Sequence, residues 1–426
     1  MTGTAGTGTR ETVLVLTGYD LKSVPVVSWL SDRFRVLLIA SRNASSPHEP
    51  AAFAEVAAEA EEWRWIDDVF DNYATVEQAL AWHERYGIQH VVCLDEFGLI
   101  SAARIRELLG TCTGQSIESA MAYRVKSRMY EAVAGSVRVP EYAVASTSFE
   151  VAAAVRDFGL PVVVKPVDGA ASVDTHVLRD QADTDRWLHS HPLAWARPVL
   201  VQKYVDGAMY HVDGLTAEGE VHGVTVSAYG SNALAHQNSR SLTSTMVEPG
   251  SERYELLVDS ARKVVRALPC TGGSSFHAEF FVTGDGEVHF CEVASRTGGG
   301  GIRKSCELAT GIHLTRAHAL LQCGLADEVL PAVGRPDRSA RFGFYLEYAP
   351  KGRLLSVPEQ CGLPGVVGYD VLAGVGKIRD GATSSVDAIQ VFIVEAPDNE
   401  GFEKTYQTIG DWCLTHRVVA DASPSP

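Results

Sequence analysis

The sequence predicts an α/β protein, α+β in parts, on three observations. The N-terminal third alternates apolar strands with helical spacing, the middle carries longer strands and helices, and the C-terminal part is rich in short β runs. Alternating strands and helices form a parallel sheet, and ligands sit at the carboxyl ends of its strands. A chain of 426 residues has room for two or three domains with buried cores.

Residues 1–11, which begin MTGTAGTGTR, read as a disordered tail with no apolar core of the signal-peptide kind. ETVLVLTGYD is a strand ending in a polar turn, Val24–Ser31 has helical spacing, and RVLLIAS is a second buried strand. HVVCLDE is a further strand that ends in Asp95 and Glu96, and this unit is assigned to residues 12–119. AMAYRVKSRMYEAVAG reads as one helix, followed by a helix around Phe149–Phe158 and the strand LPVVVKP. PVLVQKYVDG is another strand, GRPDRS is a linker, and a helix over roughly 401–415 closes the chain.

Composition excludes several function classes. The apolar fraction is 46%, and no run approaches the roughly 18–20 apolar residues of a membrane span. Eight cysteines contain no CxxC pair, so zinc-ligand spacing is absent and a reducing cytoplasm fits best. A net charge of −16 opposes nonspecific nucleic-acid binding, which needs surplus Lys and Arg. The Walker pattern, the nucleophile elbow and HExxH are all missing, and the GTAGTG of the tail follows no strand.

HAEFFVTGDGEVHFCEVASR is the most informative segment. Asp285–Gly286 signals a hairpin turn. Counting outward, Gly284 faces Glu287, Val282 faces His289, and Glu279 falls opposite Glu292. Two carboxylates paired across strands repel unless something bridges them. A divalent cation does so, and oxygen ligands suit Mg²⁺; a solvent-screened pair of acids is the competing reading. If the strand continues past Glu292, Arg296 shares its face and reaches phosphate oxygens or a substrate carboxylate. TGGGGIRKSCELATG then opens a helix on four glycines whose N–H groups can meet an anion. Arg303 and Lys304 place positive charge in its first turn, against the helix dipole, as an anion or mere solvation would allow. Upstream, LPVVVKPVDGAAS ends a buried strand at Lys165 and continues into a small-residue loop with Gly169 and Ser172. A buried lysine is costly unless paired, and phosphate is one partner.

The order Lys126, VVVKPVDGAAS, LVQKYVDGAMYHVDG and AEFFV…CEVASRTGGGG resembles the ATP-grasp superfamily, in particular its carboxylate–amine ligases that make dipeptides and peptide-like natural products. The resemblance covers about Ser119–Glu328. It implies a Rossmann-like pre-ATP-grasp domain at 12–119, a mobile lid subdomain at 120–204, a central ATP/Mg subdomain at 205–334 and a C-terminal subdomain at 335–426. By the same resemblance Lys126 and Lys165 hold ATP phosphates, the loop Asp168–Ser172 is the lid, Gln202 can hydrogen-bond adenine, and the hinge backbone at Lys203 and Val205 meets the adenine edge. Glu279 and Glu292 match the metal-binding acids, for Mg²⁺ with Mn²⁺ as a substitute, and Arg296 matches the arginine that steadies the transferred phosphoryl group. Three positions depart from the pattern: Gln202 stands for a Glu, Met209 for the ribose-binding acid, and Ala294 for an Asn.

The implied reaction makes an acyl phosphate from a substrate carboxylate and ATP, then an amide from an amine. Lys165 and Arg296 are its catalytic residues. Another ATP-grasp reaction (a carboxylase, or a ligase loading a carrier protein) and a silent nucleotide-binding relative are the alternatives. The expected partners are small carboxylates and amines, with no nucleic acid or membrane, and a homodimer is compatible. Asp95, Glu96 and Asp20 are candidates for a substrate amino group, with surface acids as the other reading. His236 is a candidate for the acceptor pocket, and Arg303 for substrate binding.

Overall fold

The computed structural model describes the chain apart from residues 1–9, 42–52, 54, 56, 112, 192–196, 231–240, 335–339, 349–350, 373–374, 377, 380–381, 383–386 and 421–426. Strands β1 (Thr12–Thr17), β2 (Arg35–Ser41), β3 (Glu62–Ile66) and β4 (Ile88–Cys93) form a parallel sheet in the order β3-β2-β1-β4. Helix α1 (Val26–Leu30) packs on Val13 and Val15, whereas α2 (Tyr73–Tyr86) and α3 (Leu99–Leu109) pack on Leu14 and Leu16. Covered on both faces, β1 and β2 are unbroken apolar runs rather than alternating ones.

The expected single helix at AMAYRVKSRMYEAVAG is two, α4 (Ile117–Arg124) and α5 (Lys126–Val133), separated by an extended Val125. The break has a local cause: the Lys126 N–H donates to the Val167 carbonyl at 2.8 Å. It sets Lys126 at the first position of α5, against the loop that follows Lys165.

A second sheet is antiparallel, in the order β5-β8-β6-β7, from β5 (Tyr142–Ala145), β6 (Val162–Pro166), β7 (His176–Leu178) and β8 (Val199–Lys203). Its core is Val162, Val164 and Val201 against Val151 and Val155 of α6 (Ser148–Phe158) and Trp187 of α7 (Gln181–Ser190). α6 starts on a reciprocal Thr147–Glu150 capping box, which satisfies two end N–H groups at once.

The largest sheet contains β9 (Gly207–Ala217), β10 (Glu220–Tyr229), β11 (Ser241–Met246), β12 (Ser274–Thr283), β13 (Val288–Ala294), β14 (Arg341–Tyr348), β16 (Val366–Val371) and β18 (Ala388–Ala396). Their order is β13-β12-β9-β10-β11-β14-β18-β16, all antiparallel, so strands of the C-terminal part extend the sheet begun by the central part. A small sheet joins β15 (Gly352–Ser356), β17 (Ile378–Arg379) and β19 (Val418–Ala420). Helix α8 (Glu252–Ala267) buries Leu257, Val258, Ala261 and Val264, spaced to one face, against Phe276, Ala278 and Phe280 of β12. Ser251 caps its start, Glu252 and Glu255 follow, and Arg266 sits in its last turn, each matched to the helix dipole. With the apolar alternates of β12 facing α8, His277, Glu279 and Phe281 are left to the other face. Helices α9 (Ile302–Thr310), α10 (Leu314–Gln322) and α11 (Asn399–His416) complete the fold. No helix among the described residues is long and apolar enough to cross a membrane.

The β12–β13 hairpin departs from the simple count and then returns to it. Val282 pairs with Val288 and Phe281 with His289, one residue short of the expected register. The turn is wider than two residues, since Gly286 N–H donates to Thr283 O and Thr283 N–H to Glu287 O. A bulge between Glu279 and Phe280 then skips Cys291, and Glu279 faces Glu292 after all.

The glycine run before α9 is shaped by packing. A Cβ at Gly301 would lie 2.2 Å from Cβ of Phe344, and one at Gly298 would lie 2.9 Å from Oδ1 of Asp213. A Cβ at Gly299 would meet nothing within 4 Å. Gly301→Ala is therefore expected to destabilise the protein by about 1–3 kcal/mol, the scale of core overpacking, while Gly299→Ala stays within about 1 kcal/mol. Urea unfolding of the two variants checks this, and equal midpoints would show that the run is open backbone.

Candidate active site

Lys165 is the penultimate residue of β6 and Lys126 begins α5, and both side chains are buried. Lys126 Nζ donates to the Gly169 carbonyl at 2.6 Å and lies 3.3 Å from Oε2 of Glu292. Burial works against the Lys165 ammonium, but the facing Tyr130, Cys291, Glu292 and Glu279 keep its pKa above the ordinary lysine value. Glu292 is the counterpart: burial raises it, yet Lys126 and Lys165 hold it down to about 2. Glu279, across the hairpin, accepts from the Tyr229 hydroxyl at 3.2 Å and from His277 Nε2 at 3.3 Å.

Both glutamates and both lysines line one cavity with Gly169 and Ser172. The loop from Gly169 is tightly wound, with positive φ at Ala171, Ser172 and Asp174, conformations rare for residues with a side chain. Val163, Tyr204, Val205, Met209 and Phe281 give the cavity an apolar wall, with Met209 directly across from Phe281. Position 209 thus contributes packing surface where an acid was the expectation. Gln202 also lines it, and its Oε1 accepts the Tyr130 hydroxyl at 3.0 Å, which leaves the amide nitrogen as its donor side. Lys203 does not line it. Its side chain is exposed and lies 3.6 Å from Glu141, and its N–H donates to Glu141 O at 2.9 Å, because alternate residues of β8 face opposite ways.

Arg296 lies elsewhere. β13 ends at Ala294, so the strand does not carry Arg296 onto the face of Glu292. Its Nε donates to Glu96 Oε2 at 3.0 Å and its Nη1 to Thr297 O at 3.0 Å. Arg124, 3.8 Å from Glu96, also approaches the Gly169 carbonyl at 3.4 Å. Glu96, just past β4, therefore links the N-terminal sheet to Arg296 and, through Arg124, to the loop. Beside it Asp95 is buried and accepts from the Gly18 N–H at 3.2 Å, and burial pushes its carboxyl up to about 7.

Other sequence candidates have local roles. Asp20 accepts from the Lys22 N–H and the Ser23 hydroxyl within its own turn. Arg303 reaches the Ser23 carbonyl at 3.4 Å, and Lys304 pairs with Glu307 on its own helix. With Gly298 and Gly301 held by close packing, the anion expected at the start of α9 has no further support. His236 lies outside the described residues. A larger groove of about 920 Å³, lined by Tyr210, Thr243, Arg253 and Tyr406, opens on the opposite face of the large sheet and carries none of these lysines or acids.

Sequence reasoning missed a buried network. Asp213 accepts from His277 Nδ1 at 2.8 Å and from His211 Nδ1 at 2.5 Å, and His211 Nε2 meets Ser244 Oγ at 2.7 Å. Burial raises the Asp213 carboxyl, but the two rings hold it well below the usual range; burial lowers His277, but Asp213 and Glu279 raise it to about 10. The signal was present: HVD and HAE put polar residues at alternate positions of otherwise apolar strands.

A nucleotide fits these residues: ammonium groups for phosphates, a narrow apolar wall for a base, and a paired-carboxylate donor set for a hard divalent cation. Residues 124–300 match the model of the ATP-grasp domain family. The L-arginine-specific L-amino acid ligase of Bacillus subtilis is 23% identical over 352 residues, 79% of this chain and 82% of that one. An L-amino acid ligase structure from Bacillus licheniformis matches with a TM-score of 0.74 at 16% identity, covering 98% of this chain and all (100%) of that one. The N5-carboxyaminoimidazole synthase of Aspergillus clavatus, in complex with ADP and an aminoimidazole ribonucleotide, matches at 0.69 and 16%, covering 94% and 98%.

Proposed function

We propose that the chain joins an amino-acid-type carboxylate to an amine through an acyl phosphate, releasing ADP and phosphate, in the biosynthesis of a peptide-like small molecule. The observation that carries this reading is the convergence of Lys126, Lys165, Glu279 and Glu292 on one cavity beneath the Gly169–Ser172 loop. The substrate carboxylate attacks the γ-phosphorus of ATP, the bond to the bridging oxygen breaks, and ADP leaves. The amine then attacks the acyl carbon, a tetrahedral oxyanion forms, inorganic phosphate departs with the C–O electron pair, and the nitrogen gives up a proton.

Lys126 and Lys165 hold phosphate oxygens, and Gln202 with the backbone to Val205 holds the base. Glu279 and Glu292 would hold a divalent cation, Mg²⁺ or Mn²⁺, which would supply charge neutralisation for the phosphates. The loop over residues 168–172 excludes water, which would hydrolyse the acyl phosphate. Glu96 and Arg296, beyond the strand ends of the N-terminal sheet, place the reacting carboxylate and amine, and the likeness to L-amino acid ligases supports substrates of that type.

The experiment supplies ATP and a panel of amino acids without an acceptor amine, and traps acyl phosphate with hydroxylamine. A hydroxamate is expected for at least one carboxylate. If the protein binds ATP yet no carboxylate yields one, the ligase mechanism falls and a silent nucleotide-binding protein takes its place.

A further inference from the structure

We infer that His277 is a third, nitrogen ligand of the metal site framed by Glu279 and Glu292, and that Asp213 is the carboxylate that aims it. The inference rests on the metal site of the proposed function. It adds a residue outside the glutamate pair that the sequence singled out.

The geometry is that of a ligand in waiting. Two atoms bound to neighbouring positions of an octahedral ion, each about 2.1 Å from it, lie about 3 Å apart. His277 Nε2 and Glu279 Oε1 are 3.3 Å apart, on one strand and one face, with Glu292 directly across from Glu279. The residue directly across from His277 is Ala294, whose methyl leaves the ring its space.

The other ring nitrogen is committed. His277 Nδ1 is 2.8 Å from Asp213 Oδ1, which leaves Nε2 as the atom that faces the glutamates. A carboxylate behind a histidine is the usual outer partner of a metal-bound imidazole, where it fixes both tautomer and ring direction. Asp213 is itself held: its second oxygen takes His211, and His211 ends on the Ser244 hydroxyl. His211, Asp213 and His277 lie close enough together to suit a metal among themselves. Both oxygens of Asp213 are already occupied by the rings, however, and His211 has a neutral hydroxyl at its far nitrogen. Only His277 has its far nitrogen on an acid that also belongs to the cavity.

The consequence is a preference in cations. An all-oxygen site suits Mg²⁺, whereas an imidazole ligand tilts a site toward transition ions. When a cation enters, the proton on Nε2 leaves to solvent and the nitrogen lone pair takes its place.

The test uses wild-type protein with Mn²⁺ and ADP, made once with ordinary histidine and once with ¹⁵N-histidine. Pulsed electron paramagnetic resonance of the bound Mn²⁺ is expected to show an imidazole nitrogen coupling that changes with the label. His277→Gln should abolish that coupling and lower Mn²⁺ affinity, and Asp213→Asn should lower the affinity about 10–100-fold, the scale of losing an outer partner. Mn²⁺ that binds with ADP yet shows no label-sensitive coupling overturns the assignment and leaves His277 as a hydrogen-bond partner of Glu279. Mn²⁺ binding that is indifferent to Glu292→Gln refutes the metal site itself, a different failure. Because the decisive reading comes from the unmodified protein, a variant that folds poorly does not blur it.

Discussion

Glu292→Gln is expected to reduce substrate-dependent ADP formation by about 10³-fold, while the protein remains folded. The size follows from the several kcal/mol of charge stabilisation that a correctly held metal supplies, at about 1.4 kcal/mol per factor of ten. The amide keeps the shape of the side chain but removes the charge that Lys126 and Lys165 hold ionised down to about pH 2. Without it two buried ammonium groups face each other across the cavity with less compensation, so metal-free ATP should still bind. Steady-state ADP release, read beside ATP affinity by calorimetry, separates the two effects. Turnover within a few-fold of wild type would remove Glu292 from the metal site.

Arg296→Ala is expected to lower turnover by at least ~10²-fold and to change ATP affinity far less. The first figure is the scale seen when one donor that opposes developing charge is removed. The second follows from position: Arg296 is not among the residues that line the cavity of the lysines, and its guanidinium is held on Glu96 instead. Burial lowers the Arg296 pKa, but Glu96 and Tyr19 raise it above the usual value, so the charge is permanent and available to a substrate carboxylate. Lysine at this position should restore only part of the activity, because a point charge does not reproduce a planar, bidentate donor. Pre-steady-state phosphate release and hydroxamate yield are the measurements. If Arg296→Ala forms hydroxamate at the wild-type rate, Arg296 is a strut between the N-terminal and central sheets and not a catalytic residue.

The hairpin shows how far a sequence count carries. The count places Glu279 opposite Glu292, and they do pair, but two departures cancel on the way: a turn one residue wider than expected and a bulge that passes over Cys291. Alternation within a strand is legible because side-chain direction repeats every two residues, whereas a bulge depends on what the neighbouring strand tolerates. Lys203 illustrates the same point from the other side. Its place next to Gln202 is plain in the sequence, but facing is decided by the pairing of β8 with β5 and β6, which turns Gln202 inward and Lys203 out.

By itself the sequence determined what is local or repeated along the chain: the buried parallel strands, the helix α6, the buried strand that carries Lys165, and the acids of the hairpin. These follow from nearest-neighbour sterics and periodic burial, which act over a few residues. Only the tertiary structure decided that Lys126 opens a new helix against Val167, that Gly301 is required by Phe344, and that Arg296 rests on Glu96. It alone joined Asp213 to His277, residues 64 positions apart. Such pairs are chosen by the packing of sheets from distant parts of the chain, where one buried charge needs another close by and the spacing in sequence carries no trace of the match.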